Sequence, residues 1–434
     1  MNFLKKIFSP TILTISLLLL IYTFYKSEIY LDGENRNYYK TYYLIFCILI
    51  CFSIITFFLN DIIKEYLIIS GISLIVSLYL FEGYLTFKEK FSNEQLLKAQ
   101  LYKKQTGNEW DARNELDIYK ELKKDNNKVT VTFYPNDFLE KNYSIFPLSG
   151  SSNSKTIFCN ENGYYSIYQS DRYGFNNPDI EWNQKEIEYF IIGDSFAHGA
   201  CVNRPNDIGS ILRTLSNKHV LNLGRSGNAP LIEYATLREY LDTNVKKILW
   251  IYYEGNDLGD RLKSELKNNI LINYFNDNNF TQNLKFKQND IDSFLSNLIK
   301  EKEKETERKT FKFKLIKFIK IYNTRQSISI TPAPAPEFKQ VLQLTKELTN
   351  KNNSKLYFVY LPEYIRYKTS YYNTNYNLVK NIVTELKIPF IDIHKEVFEK
   401  EQNPLKLFPF ELLRHYNVDG YKKVAETIYK FTKD

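Results

Sequence analysis

Three apolar runs in the first 90 residues limit what this chain can fold into more than any other feature. Ile7 to Tyr25 and Thr41 to Leu59 carry no charge, and Tyr66 to Phe87 carries only Glu82, near its end. Each is close to the roughly 20 residues an α-helix needs to cross the hydrocarbon core of a bilayer. A cleaved signal peptide is the rival reading for the first run. No small-residue cleavage site follows it and two more runs come after, so three membrane helices are expected, near 7–25, 41–59 and 66–87.

The flanking charges pull in two directions. Lys5 and Lys6 favour a cytoplasmic N-terminus, and three crossings then put the remainder outside the cytoplasm. Lys26, Arg36, Lys40, Lys88 and Lys90 fall on the proposed outer side, against Lys64 on the inner loop, which the positive-inside rule disfavours. The expectation is an integral protein of the inner (cytoplasmic) membrane with an extracytoplasmic soluble part. The net charge of +8 is spread over Lys-rich helices rather than gathered in one patch, which reads as solvated faces and not as a nucleic-acid surface.

Residues 92–124 are polar and charged, with apolar residues spaced for a helical stalk followed by a helix lying on what comes next. Between Val129 and Tyr168 the chain changes to short β-like pieces punctuated by Pro, Gly and Ser, and Ser170 to Asp179 contains Gly174-Phe175-Asn176-Asn177. That stretch reads as a structural turn over a sheet edge. Strand and helix patterns then alternate. Strands are expected near 188–192, 219–223, 247–253, 355–361 and 389–393, and helices near 206–216, 229–242, 335–350, 373–386 and 418–431. This alternation implies an α/β, flavodoxin-like, doubly wound five-stranded parallel sheet. The pattern breaks at 258–335, read as a mostly helical insertion. Lys and apolar residues alternate there from Phe311 to Ile321, a basic amphipathic stretch suited to a pocket wall or a membrane surface. Thr331 to Pro336 closes the insertion as a stiff Pro/Ala connector.

Four stretches at the ends of these elements carry candidate chemistry. They are Gly193-Asp194-Ser195, Gly224-Arg225-Ser226-Gly227-Asn228, Glu254-Gly255-Asn256-Asp257 and His415-Tyr416-Asn417-Val418-Asp419. A Gly-Asp-Ser turn alone is weak, but a serine beyond the carboxyl end of a buried parallel strand lies where open α/β sheets place ligands. In this order the stretches resemble the SGNH, or GDSL-type, hydrolase superfamily, over roughly residues 185–434. The resemblance implies Ser195 as nucleophile and His415 as base, with the backbone N–H groups of Ser195 and Gly227 and the Asn256 amide as oxyanion donors. Gly224 is an alternative to Gly227. A neutral imidazole accepts a proton near pH 7, glycine admits close backbone approach, and an amide donates without a charge to desolvate.

One position departs from the family pattern. An Asp usually stands three residues before the histidine, and here that place is Leu412. Glu411 is the nearest carboxylate and is taken as the orienting acid, with Asp392 or a backbone carbonyl as the other options. His198 rims the pocket or lies at the surface, and His219 and His394 read as structural or exposed.

The expected organisation is a transmembrane region over 1–90, a stalk and accessory segment over 91–184 packing on the catalytic domain, and an SGNH-like domain over 185–434. The expected activity is a membrane-anchored serine esterase acting on O-acyl esters of cell-envelope carbohydrates through an acyl-enzyme. An O-acetyltransferase on polysaccharide, or a catalytically weak carbohydrate-binding or assembly module, are the alternatives. The expected partners are the lipid bilayer and an acylated carbohydrate or other ester, with no nucleic acid and no protein partner identified. No cofactor or metal is expected, since no Cys-x-x-Cys-like spacing occurs. Cys159 and Cys201, the two cysteines of the soluble part, are a possible disulfide that would tie the upstream segment to the nucleophile turn.

Overall fold

The structure, a computed structural model, describes residues 2–30, 36–91, 94–139, 143–242, 244–255, 260–305, 310–327, 336–368 and 374–433. Asn256 and residues 331–335 of the Pro/Ala connector lie outside the described residues. The chain divides into two compact units, Met1–Ser92 with Thr310–Ser329, and Asn93–Lys309 with Ile330–Asp434.

The first unit holds helices α1 (Asn2–Phe24), α2 (Arg36–Phe57) and α3 (Asp61–Phe91). Three stretches, Asn2–Ile29, Tyr39–Phe57 and Asp61–Lys88, are long and apolar enough to cross a membrane. Their large side chains face outward, Leu18, Ile21, Leu44, Leu74 and Leu80 among them. Polar contacts tie the helices to one another: Ser16 on α1 meets Ser53 on α2 at 3.3 Å, and Lys5 pairs with Glu65 at 2.5 Å. That ion pair puts the starts of α1 and α3 at one end of the bundle. Two short helices from far later in the sequence, Thr310–Ile319 and Tyr322–Ser327, also belong to this unit. The expected insertion is therefore split. Its earlier part, including Leu262, Leu271, Tyr274, Ile291 and Leu295, is buried in the core of the second unit.

The second unit is built on β4 (Ile187–Gly193), β5 (Val220–Asn222), β6 (Val245–Tyr253), β7 (Lys355–Leu361) and β8 (Phe390–Asp392), all parallel in the order β5-β4-β6-β7-β8. Before them comes a small sheet of β1 (Val129–Val131), β2 (Lys155–Ile157) and β3 (Ile167–Gln169). The main-sheet strands are apolar throughout because both faces are covered. Phe190, Ile192, Ile248, Trp250, Phe358 and Tyr360 enter one core layer, and Tyr189, Ile191, Leu249, Ile251, Tyr357 and Val359 enter the other. The chirality of right-handed crossovers puts helices on both faces. Helix α6 (Pro230–Tyr240), α7 (Glu337–Lys351) and α8 (Thr374–Glu385) supply the first layer; α5 (Ile208–Ser216) and α9 (Val418–Thr432) supply the second. The strand order reverses between β4 and its two neighbours, β5 and β6, and the helix α4 (Ser195–His198) begins there.

The Gly174 to Asn177 stretch finishes the β5 edge. The Asn177 side chain accepts from the Asn222 N–H at 2.8 Å and donates to the Asn222 carbonyl at 2.9 Å, in place of a sixth strand. Buried Asp171 shapes the turn by accepting from the N–H groups of Tyr173 and Phe175, the Asn177 amide and the Trp182 indole.

Candidate active site

Strand β4 ends on Gly193, and Asp194 caps α4 by accepting the Phe196 N–H at 2.8 Å. Ser195 is the first residue of that helix, and its Oγ lies 2.8 Å from His415 Nε2. His415 precedes α9, whose Asn417 cap accepts the Gly420 N–H at 2.9 Å. Two fixed helix starts therefore bring together residues 220 positions apart. The Phe196 ring packs on the imidazole at a centroid distance of 4.8 Å, and is itself stacked on Tyr253 at 4.0 Å.

The orienting group is a correction to the sequence reading. Glu161, not Glu411, meets the far side of the imidazole: its Oε2 lies 3.0 Å from His415 Nδ1 and accepts the His415 backbone N–H at 2.9 Å. A carboxylate can only accept, so the ring proton sits on Nδ1 and Nε2 is left to accept from Ser195. Glu411 is engaged elsewhere, with its carbonyl accepting from Tyr364 Oη at 2.7 Å and its carboxylate from Asn403 at 3.3 Å. Asp392 caps the turn after β8 and accepts from Tyr376 Oη.

Glu161 is held by covalent and polar ties. Cys159 and Cys201 are bonded, with Cα atoms 5.0 Å apart, and the Asn162 amide donates to the Cys201 carbonyl at 2.8 Å. The segment 159–162 is thereby fastened to the chain just beyond Ser195. Burial pushes the Glu161 carboxyl up, but the His415 charge and its hydrogen bonds outweigh that and hold it below the ordinary carboxylate range. Burial likewise pulls the His415 imidazole down, while the Glu161 charge and hydrogen bond, with Asp194, raise it overall. The pair favours its charged state, and that is the state a base reaches when it takes a proton from serine.

The loop carrying Gly227 lies against the nucleophile turn, because the Arg225 N–H donates to the Gly193 carbonyl at 3.1 Å and the Asn228 amide to the same oxygen at 3.2 Å. Gly227 has φ of 90°, open to glycine at little cost. A Cβ on Gly224 would meet Ala197 Cβ at 2.4 Å, so this glycine serves close packing of the loop on α4. Buried Glu265 fixes the far end of the loop by accepting the Ala229 and Leu231 N–H groups at 2.8 and 2.9 Å. Asn256 is outside the described residues. The strand exit leading to it is held by Glu254, which is buried and paired with Arg366.

The other histidines stand apart from this chemistry. His198 is buried rather than at a rim or the surface; it stacks on Phe158 at 4.2 Å, and burial holds it at about 3, hence neutral. His394 meets Tyr367 Oη at 2.7 Å, and His219 meets Glu181 at 3.3 Å. Glu161, His415 and Cys201 form the one group of potential metal ligands among the described residues, but the Cys201 sulfur is in the disulfide and has no thiolate to give.

A serine on a strand-to-helix turn, hydrogen-bonded to an imidazole whose other nitrogen faces a carboxylate, is an arrangement able to activate a serine hydroxyl. The family model for GDSL-like lipases and acylhydrolases matches residues 189–428, more than half the chain, and the chain belongs to that family of ester hydrolases. Glu161 and Cys159 both lie upstream of the matched span. Among solved structures, the chain is similar to a protein described as lipolytic and of the G-D-S-L family from Desulfitobacterium hafniense DCB-2. Identity is 14%, covering 56% of this chain and 99% of that one, at a TM-score of 0.32, too slight a likeness to build on. Comparison with curated proteins gave no match.

Proposed function

We propose that the protein is a membrane-anchored serine esterase that hydrolyses O-acyl esters, with cell-envelope carbohydrate as the substrate class. The observation that carries this reading is the continuous hydrogen-bonded chain from Ser195 through His415 to Glu161. Ser195 Oγ attacks the acyl carbonyl carbon while His415 Nε2 takes its proton. The carbonyl oxygen becomes an oxyanion facing the Ser195 and Gly227 N–H groups and the Asn256 amide. His415 then gives its proton to the leaving alcohol oxygen as the ester C–O bond breaks. Water attacks the resulting acyl-serine, again giving up a proton to His415, and Ser195 leaves with that proton restored. Glu161 carries no proton in this cycle; it holds the Nδ1 tautomer and stabilises the imidazolium.

Three apolar spans support membrane anchoring, and an anchored esterase is placed to act on acylated carbohydrate held at the membrane surface. The Cys159–Cys201 bond supports an oxidising compartment, and so an extracytoplasmic catalytic unit. The test is labelling of the detergent-solubilised full chain with a fluorophosphonate probe, together with turnover of an aryl acetate and of O-acetylated glycan. Wild type should be labelled at Ser195 and release acetate, and Ser195→Ala should do neither. An unlabelled, inactive wild type would remove the esterase reading.

A further inference from the structure

Glu82 is the one charge in the third apolar run, and it is 1% exposed. A carboxylate at such a depth is costly unless its oxygens find donors. They find them on the second of the two short helices of the return segment, Tyr322–Ser327. Glu82 Oε1 accepts the Asn323 N–H at 3.1 Å, and Oε2 accepts the Thr324 N–H and hydroxyl, each at 2.8 Å. One turn further along α3, the Asn323 amide donates to Thr86 Oγ1 at 3.1 Å, and one turn back Tyr79 Oη donates to the Ile319 carbonyl at 3.0 Å. Between these bonds the Phe318 ring packs on Tyr79 at 5.6 Å and lies over Gly83, where a Cβ would meet it at 3.9 Å, an ordinary contact. The contacts described for the return segment involve Phe318, Ile319, Asn323 and Thr324, and they leave the Leu315, Ile316 and Ile319 side chains 47%, 41% and 57% exposed.

That outward face continues the apolar surface of α3, where Leu78, Leu80, Phe81 and Tyr84 are also exposed. Water would be a poor neighbour for such a continuous surface. The position is equally telling, because Tyr79 to Thr86 lie within the last ten residues of the span Asp61–Lys88, toward one membrane boundary. A helix with apolar residues outward and lysines such as Lys317 and Lys320 among them suits the headgroup boundary, where ammonium groups reach water and phosphate.

We propose that residues 310–327 are a fourth membrane-bound element, a re-entrant helix pair locked onto α3 through Glu82, with Leu315, Ile316 and Ile319 seated in the lipid at the bilayer interface. The catalytic chain then touches the membrane twice, once before residue 93 and again between β6 and β7. This inference rests on reading α1–α3 as bilayer spans.

The test uses the full chain with Cys47→Ser and Cys51→Ser, in vesicles of phosphatidylcholine and phosphatidylglycerol. Single cysteines at Leu315, Ile316 and Ile319 carry an environment-sensitive fluorophore, with Leu74→Cys on α3 and Lys422→Cys on α9 as controls. The three positions should emit at short wavelength and be quenched by doxyl lipids as Leu74 is, while Lys422 is not. Separately, Thr86→Cys with Asn323→Cys should cross-link on mild oxidation, and adding Glu82→Leu should abolish the cross-link. Quenching at Leu74 with water-like emission at all three return positions overturns this inference and leaves the anchoring reading intact. Short-wavelength emission without lipid quenching assigns the face to a protein and overturns it too. No quenching at Leu74 sinks both readings. A cross-link absent without Glu82→Leu, or undiminished with it, removes the lock.

Discussion

Glu161 holds His415 by two atoms at once, since its Oε2 meets both the ring Nδ1 at 3.0 Å and the backbone N–H at 2.9 Å. The two residues are 254 positions apart. A single carboxylate oxygen thereby sets both the tautomer of the imidazole and the place of its backbone. The acid usually supplied from three residues before the histidine comes here from a disulfide-tied segment before the sheet begins, and Leu412 occupies the vacated position.

Glu161→Gln should lower kcat by something between about 10² and 10⁴, because an amide N–H₂ turned to Nδ1 forces the wrong tautomer and a neutral amide stabilises the imidazolium far less than a carboxylate does. Glu411→Gln and Asp392→Asn should stay close to wild type. Aryl acetate turnover of the three variants ranks them, and a larger loss in either of the latter two contradicts the assignment.

The pH profile follows from the sign of the His415 shift. The base must be neutral, and its pKa is raised above the ordinary value of 6.5, so kcat/KM should fall as pH drops through a point above 6.5. Glu161→Gln removes the charge that raises it and leaves burial, which lowers it. The acid limb of the variant's residual activity should then move to lower pH; a limb that stays put or rises would separate Glu161 from the base.

Reduction of the Cys159–Cys201 bond, or Cys159→Ser with Cys201→Ser, frees the segment that carries Glu161. Closing a loop of 42 residues stabilises a fold by roughly 2–4 kcal/mol, so the melting temperature should drop. Activity measured well below that temperature should also fall, through kcat more than KM. Mass spectrometry of native, alkylated protein checks the premise: modified Cys159 and Cys201 would mean there is no bridge to lose.

Asn256→Ala should reduce kcat by about 10² to 10³ with little change in melting temperature, the loss associated with one oxyanion donor. Wild-type turnover of an aryl acetate by this variant would take Asn256 out of the oxyanion hole.

The parallel sheet was legible because both of its physical causes are local. Strands buried on two faces must be apolar at every position, as Phe190 to Ile192 and Ile248 to Tyr253 are, and parallel neighbours need a helix between them. The three helices long and apolar enough to cross a membrane were legible for the same kind of reason: unbroken apolar length is itself the constraint. Ser195 and His415 could be paired from sequence because each sits in a short motif at the end of a predictable element.

Glu161 has no such motif. It lies in an irregular segment, Asn160 to Gly163, whose position depends on a bond to Cys201 and on side-chain hydrogen bonds across the fold. The available hint was its place two residues after Cys159, once that cysteine is tied beside Ser195. Glu82 is the parallel case in the first unit. The sequence by itself determined that one carboxylate interrupts an apolar span, whereas tertiary structure alone decided that residues 323 and 324 would supply its donors. Periodicity and apolar length act between near neighbours and can be read along the chain; the partner of a lone charge is chosen by packing between segments hundreds of residues apart, and no local pattern records it.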